Sequence, residues 1–205
     1  IKVAVVDTGL NLKDPRFESV LCPTGHRDFT GEGIEDRHGH GTHMAGLIKR
    51  YAGDANYCLL IVKYFPGGTG HVAEVARALE YAVEAGARFV NFSGGGLGPE
   101  PRESDIIASA ENTTFVVAAG NSATDLDATC NYFPACYPLK NISVVGALGI
   151  DGKRFPSSSF GKIVDSWELG QSVVSTLPSG DGALSGSSIA TAIHTGKLVN
   201  AKKNR

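Results

Sequence analysis

The chain reads as an α/β fold in three layers, a central and mostly parallel sheet with helices on both faces. Two observations predict it. Short runs rich in Val, Ile and Leu alternate with stretches of helical periodicity, the pattern of repeated strand–helix–strand units. Several of these runs are apolar on consecutive residues, as strands covered on both faces require, where a half-exposed strand would alternate. A length of 205 residues suits one domain over 1–205, large enough to bury a core without covalent staples.

The elements follow in order. Residues 3–6 form the first strand and residues 59–65 the second. Between the second strand and a third at 88–92, Val72, Val75, Ala76, Leu79, Val83 and Gly86 recur at helical spacing. That is an amphipathic helix crossing between parallel neighbours. A helical stretch at 106–110 leads to a strand at 114–119, and further strands are expected at 142–147 and 172–176. A last helix runs over 188–199. The terminal Lys202-Lys203-Asn204-Arg205 reads as a solvated tail.

Composition narrows the function. With 19 basic against 21 acidic side chains the net charge is −2, which offers nothing to nucleic acid or an acidic membrane surface. Apolar runs such as 58–62 fall far short of the ~18 residues of a membrane span. Hydrophobic residues make up 42% and charged residues 20%, which excludes a wholly disordered chain. The 26 glycines are nearly twice the usual share of about 7%, a surplus that suits tight turns and active-site loops. Met44 is the only methionine, so Ile1 is not a translation start and an upstream segment is expected to have been removed. Cys130 and Cys136 flank a short loop and can bridge. Cys58 opens an apolar run and reads as a free buried thiol. The compartment stays open.

Chemistry is expected where polar residues interrupt the pattern at the carboxyl ends of strands. Asp7 directly follows the first strand, and alone it could cap a turn. Three histidines, His38, His40 and His43, fall within six residues of a glycine-rich helix start. They suit either a metal cluster or one catalytic histidine with packed neighbours. Asn121 ends the strand at 114–119 behind Ala118-Ala119-Gly120, where small residues let a ligand approach the backbone. Ser188 stands in the first turn of the last helix, beside free N–H groups, where a plain N-cap is the alternative. Ser93-Gly94-Gly95-Gly96-Leu97-Gly98 follows a strand but lacks the spacing of a dinucleotide loop. Of three Asn-x-Ser/Thr triplets, those at Asn91 and Asn141 lie in or beside strands and read as chance matches to a glycosylation signal.

Asp, then His, then Ser at strand–loop–helix boundaries of one sheet is the chain order of subtilisin. The chain resembles the subtilisin-like serine proteases (subtilases, peptidase family S8). The resemblance rests on Asp7-Thr8-Gly9, His40-Gly41-Thr42-His43-Met44-Ala45-Gly46, Ala119-Gly120-Asn121 and Gly186-Ser187-Ser188-Ile189-Ala190. It implies a serine endopeptidase with Ser188 as nucleophile, His40 as base, Asp7 orienting His40, and Asn121 in the oxyanion hole. Substrate would lie as an extended strand along Ser93, Gly94 and Gly95, with residues 67–70, including Gly67 and Gly68, on its other side. The first specificity pocket is expected between residues 93–95 and Ala118, Ala119 and Gly120, open to a bulky apolar side chain. Asp125 and Asp127 read as a solvated loop, against the alternative that they attract a basic residue there. His38 is expected at the rim of the site, with Thr42 and His43 behind it.

The chain departs from the family pattern at Ser187, Ile189 and Ala192, where Thr, Met and Pro are usual. None of these removes a group the chemistry needs. Residues 50–57 are too short for the family's calcium loop, so no cofactor is expected. The partners expected are a peptide or protein substrate and a propeptide or larger chain, with the enzyme a monomer. Only the resemblance leans toward an extracytoplasmic setting. Two other readings remain: a silent subtilase fold that binds peptides, and a metal-dependent hydrolase using His38, His40, His43 and Asp7.

Overall fold

The computed structural model describes residues 1–68 and 73–203. In chain order the elements are β1 (Lys2–Asp7), a single 3₁₀ turn (Pro15–Phe17), β2 (Arg27–Asp28), α1 (His40–Ala52), β3 (Cys58–Lys63), α2 (Val75–Glu84), β4 (Phe89–Phe92) and β5 (Gly96–Leu97). There follow α3 (Pro101–Ser109), β6 (Thr114–Ala118), β7 (Tyr132–Phe133), β8 (Ile142–Leu148), β9 (Ser166–Leu169), β10 (Val173–Leu177), β11 (Gly180–Leu184) and α4 (Ser187–Ala201). Seven strands form one sheet in the order β2-β3-β1-β4-β6-β8-β9, and every neighbouring pair is parallel.

The period of two in a strand builds the layers. Val3 and Val5 of β1 point to one face, where Met44 and Ile48 of α1 and Ile189 and Ile193 of α4 cover them. Ala4 and Val6 point to the other, against Ala78 and Leu79 of α2 and Ile107 of α3. The consecutive apolar runs are therefore strands buried on both sides, and the expected three-layer fold is the observed one. Because β1 lies between β3 and β4, the chain crosses to one side of β1 and then to the other. The carboxyl end of β1 is a switch point, where a crevice opens in such sheets. Asp7 is the last residue of β1.

Several sequence readings are corrected. The strand at 172–176 does not join the main sheet. As β10 it pairs antiparallel with β11, and the inward Ser175 and Thr176 hydroxyls donate to the carbonyls of His43 and Thr42 on α1. The edge of the main sheet is instead β9, whose Ser166, Trp167 and Glu168 break the apolar pattern. The helix read at 106–110 begins earlier, at Pro101, because the Glu100 carboxylate caps it by accepting the N–H groups of Arg102 and Glu103 at 3.1 and 2.6 Å. Val72 lies outside the described residues, and the helix read there starts at Val75.

Cys58 is not a free thiol: it is joined to Cys22. The chain before Cys22 runs beside β3, with Leu59 N–H donating to the Val20 carbonyl and Cys22 N–H to that of Leu59, and this sets the two Cα atoms 4.8 Å apart. Cys130 and Cys136 are bridged, as their spacing allows. Asn91 is fully buried and the Asn141 amide donates to the carbonyls of Ile107 and Ala110, so neither is presented as a glycosylation acceptor. Among the described residues no helix is long and apolar enough to cross a membrane.

Candidate active site

Asp7 is 4% exposed, and its carboxylate faces the imidazole of His40, the first residue of α1. His40 Nδ1 lies 2.7 Å from Asp7 Oδ1 and 2.9 Å from Oδ2. The Thr8 N–H donates to the same Oδ1 at 2.8 Å. With Nδ1 committed to the carboxylate, the free edge of the ring is Nε2. Burial works against protonation of His40, but the charge and hydrogen bond of Asp7 outweigh it, with help from Asp36, and its pKa lies above the ordinary imidazole value.

α1 starts where it does because of Asp36, a buried carboxylate. Its Oδ1 accepts from the Thr8 hydroxyl and from the N–H groups of His38 and Gly39 at 2.8–3.0 Å. Its Oδ2 accepts from the N–H and hydroxyl of Thr42 at 2.9 and 2.6 Å. One carboxylate thus satisfies first-turn donors that would otherwise be orphaned and places a negative charge at the positive end of the helix. Gly41 completes the approach, since a Cβ there would meet Gly9 N at 3.0 Å and Asp7 Cβ at 3.2 Å. Asp36→Ala would strip five donors of their acceptor and should cost on the order of 3 kcal/mol in urea unfolding. A change below about 0.5 kcal/mol would show that water replaces the carboxylate without loss.

The three histidines diverge. His38 is exposed and edge-on to both His40 and Phe65, at ring-centroid distances of 6.3 and 6.0 Å, so it rims the site as expected. His43 is fully buried, with Nε2 3.1 Å from the carbonyls of Val173 and Gly182 on the β10–β11 hairpin. Burial lowers its pKa and keeps it neutral. Among the described residues no three His, Cys, Asp or Glu side chains converge as a metal would need.

Ser188 stands in the first turn of α4, and its hydroxyl donates to the Ser93 carbonyl at 2.8 Å. Beneath it a buried polar relay ties α4 to the end of β4. The Asn91 amide donates to Ser93 Oγ at 3.0 Å, and the Thr195 hydroxyl donates to Asn91 Oδ1 at 2.9 Å. The Asn121 Oδ1 accepts from both the N–H and the hydroxyl of Ser187, at 2.8 and 3.0 Å. That requirement for an acceptor sets the amide orientation and leaves Nδ2 free. His38, His40, Asn121, Ser185 and Ser188 line one cavity of about 450 Å³. Asp7, His40, Ser93 and Gly94 line a smaller one of about 190 Å³.

The remaining predicted positions fall around these cavities. Gly94 and Gly95 extend β4 toward the surface, and Ala118, Ala119 and Gly120 are buried at the end of β6. The Gly67 N–H donates to Glu32 Oε2 at 3.0 Å, and Gly68 is exposed; Thr69 and Gly70 lie outside the described residues. Asp125 and Asp127 are both exposed; Asp125 accepts the Asp127 N–H within their loop, and Asp127 accepts the N–H of Lys162 from a neighbouring segment.

Sequence reasoning missed three things. Asp36 was visible as a carboxylate just before a helix. Tyr132 stands between two close cysteines, with nothing to say where its ring points. A cavity of about 340 Å³ beside Gly95 and Gly96, walled by Tyr64, Phe65, Phe92 and Phe133, holds Glu103, whose pKa burial pushes up to about 7. Its residues come from five separate segments.

A doubly wound parallel sheet with a buried carboxylate, an imidazole and a helix-borne serine around one crevice defines the class of serine hydrolases with an α/β core. The chain belongs to the subtilase family, whose model matches residues 1–204, and is by class a serine-type endopeptidase. It is 31% identical to the major intracellular serine protease of Bacillus subtilis (strain 168) over 98% of this chain and 68% of that one. It is 34% identical to the subtilisin-like serine protease Rho m 2.0101 of Rhodotorula mucilaginosa over 95% of this chain and 60% of that one. The chain thus spans 60% to 68% of these two relatives' length. A crystal structure of a cold-adapted subtilisin-like serine proteinase superposes with a TM-score of 0.81 at 26% identity, over 98% of this chain and 76% of that one.

Proposed function

We propose that this chain hydrolyses peptide bonds through an acyl-enzyme on Ser188. The observation that carries the reading is the buried Asp7 carboxylate on His40 Nδ1, which turns Nε2 toward the cavity that Ser188 shares. A serine hydroxyl is a weak nucleophile until a base takes its proton. Rotation about the Ser188 Cα–Cβ bond moves the hydroxyl from the Ser93 carbonyl toward His40, and such contacts tighten when substrate arrives. Ser188 Oγ then attacks the scissile carbonyl while His40 takes the proton. Asp7 holds the tautomer and stabilises the imidazolium, which next protonates the leaving amine. A water enters by the same route in reverse and frees the acid.

The oxyanion is received by Asn121 Nδ2 and the Ser188 backbone N–H, one of the unpaired donors at the start of α4. The bond is made to charge that exists only after attack, so it favours the transition state over bound substrate. Substrate lies extended along Ser93, Gly94 and Gly95, where main-chain pairing gives affinity with little demand on sequence. Gly67 and Gly68 border the far side, the Gly67 N–H being already committed to Glu32. The enzyme acts as a monomer, and the groove would take a pro-segment strand in the same manner.

No resident calcium is included. Between α1 and β3, Asp54 is exposed with Lys203 Nζ at 3.7 Å, and the Asn56 carbonyl accepts from the Ile1 amine at 2.9 Å. These donors do not fit an ion that takes six to eight oxygens.

The test is intact mass after exposure to a fluorophosphonate, with and without EDTA. One adduct, formed at the same rate in both, is expected. A folded sample that takes no adduct would favour peptide binding without turnover. Peptide cleavage that EDTA abolishes and the fluorophosphonate spares would overturn the serine mechanism.

A further inference from the structure

We propose that Tyr132 closes the first specificity pocket, so that this enzyme cuts after small residues such as Gly, Ala and Ser. The inference rests on the proteolytic reading above. It replaces the sequence expectation of an open slot between residues 93–95 and residues 118–120.

The reacting carbonyl must sit between two strand ends. Ser188 Oγ is 2.8 Å from the Ser93 carbonyl, and Asn121 directly follows Gly120. The residue that donates this carbonyl therefore has its Cα between the extensions of β4 and β6. Side chains of an extended strand alternate, so its own side chain points either to solvent or down between those two extensions.

That space holds the ring of Tyr132. A Cβ built on Gly95 would meet Tyr132 Oη at 2.6 Å and Cε1 at 2.7 Å. A Cβ built on Gly120 would meet Cδ1 at 3.1 Å, Cγ at 3.2 Å and Cε1 at 3.3 Å. The root of the ring thus lies on Gly120 and its hydroxyl end on Gly95, so the ring spans the slot from wall to wall. At Gly95 the ring leaves no room for a methyl group, and at Gly120, whose φ of +97° itself favours glycine, a methyl group would press on the ring. Pairing of β7 with β5, Leu97 opposite Tyr132 and Gly96 opposite Phe133, holds the ring there, and the Cys130–Cys136 bridge closes the loop that carries it. Tyr132 is half-buried, and burial raises its phenol pKa. A packed aromatic ring is not displaced cheaply. A Phe or Leu side chain entering the slot would have to expel it, losing contacts worth about as much as it gains.

The experiment compares kcat/KM on peptides that differ only at the residue before the cut, Ala against Phe. Fluorophosphonate titration sets the concentration of working sites in each sample. The native enzyme is expected to favour Ala by at least tenfold. Tyr132→Ala should abolish this preference, raising kcat/KM for Phe tenfold or more relative to that for Ala. Tyr132→Phe keeps the ring without the hydroxyl and should keep the native preference, which separates occupancy of the slot from any effect of the phenol. Should Tyr132→Ala fail to fold, Tyr132→Val supplies the enlarged slot with less disturbance to β7. Equal rates on Ala and Phe in the native enzyme would overturn the proposal, as would an unchanged profile in the enlarged variants. Failure of the native sample to titrate would instead remove the proteolytic reading and this proposal with it.

Discussion

Ser188→Ala is expected to lower kcat for peptide hydrolysis by about 10⁶-fold, the loss known for subtilisin itself and carried over from that family member. The variant removes one oxygen whose hydrogen bond is to the Ser93 carbonyl. Alanine is at least as good a helix former as serine, so α4 and the fold should persist within about 0.5 kcal/mol. The remaining activity should still exceed the uncatalysed rate, because Asn121 and the Ser188 position's own N–H still stabilise an oxyanion when water attacks. The check is cleavage kinetics on chromatographically repurified variant, with urea unfolding alongside. A loss smaller than a hundredfold in a folded variant would take the nucleophile's role from Ser188. Its lost fluorophosphonate adduct would mean little without that kinetic result, since labelling reads reactivity and cleavage reads function.

Asp7→Asn is expected to lower kcat by about 10⁴-fold, as loss of the equivalent carboxylate does in serine proteases generally. An amide can donate to Nδ1, which would hold the ring in the tautomer that has a proton on Nε2 and no lone pair for the serine. The pH profile should move as well. In the native chain burial lowers the His40 pKa, while Asp7 and then Asp36 raise it to a net position above about 6.5. His40 must be neutral to act as base, so the acid limb of kcat/KM should lie above that ordinary value. Removing the Asp7 charge removes the main raising influence, and burial then dominates. The acid limb of the residual activity should shift to lower pH. A limb that stays in place would show that the profile reports some other group.

Much of this was legible in the sequence for local reasons. Asp7, Asn121 and Ser188 each follow a short apolar or small-residue run, and His40 stands between Gly39 and Gly41 where a helical pattern opens, so the place of each at a strand or helix end is written in its neighbours. Their order along the chain needs no coordinates. The buried strands were equally plain, since Val3 to Val6 leave no polar residue for a solvent face. The edges were not. β9 and the β10–β11 hairpin carry mixed, half-exposed residues, and which of them joins the sheet rests on distant packing, β9 against α4 and the hairpin against α1. Cys58 was misread for the same reason. Its apolar neighbours describe its own strand, whereas its bond to Cys22 depends on a segment 36 residues away lying beside that strand.

The sequence by itself determined the parallel α/β class and the family, and it supplied the four residues on which the proposed chemistry rests, because all of these are written in short local stretches. Only the tertiary structure decided what surrounds them. Asp36 gathers donors from Thr8, His38, Gly39 and Thr42. The Asn91–Ser93–Thr195 relay joins β4 to α4. Tyr132 occupies a slot whose two walls lie 25 residues apart in the chain. Side-chain direction and packing against distant segments settle such features, and neither is a property of a local pattern.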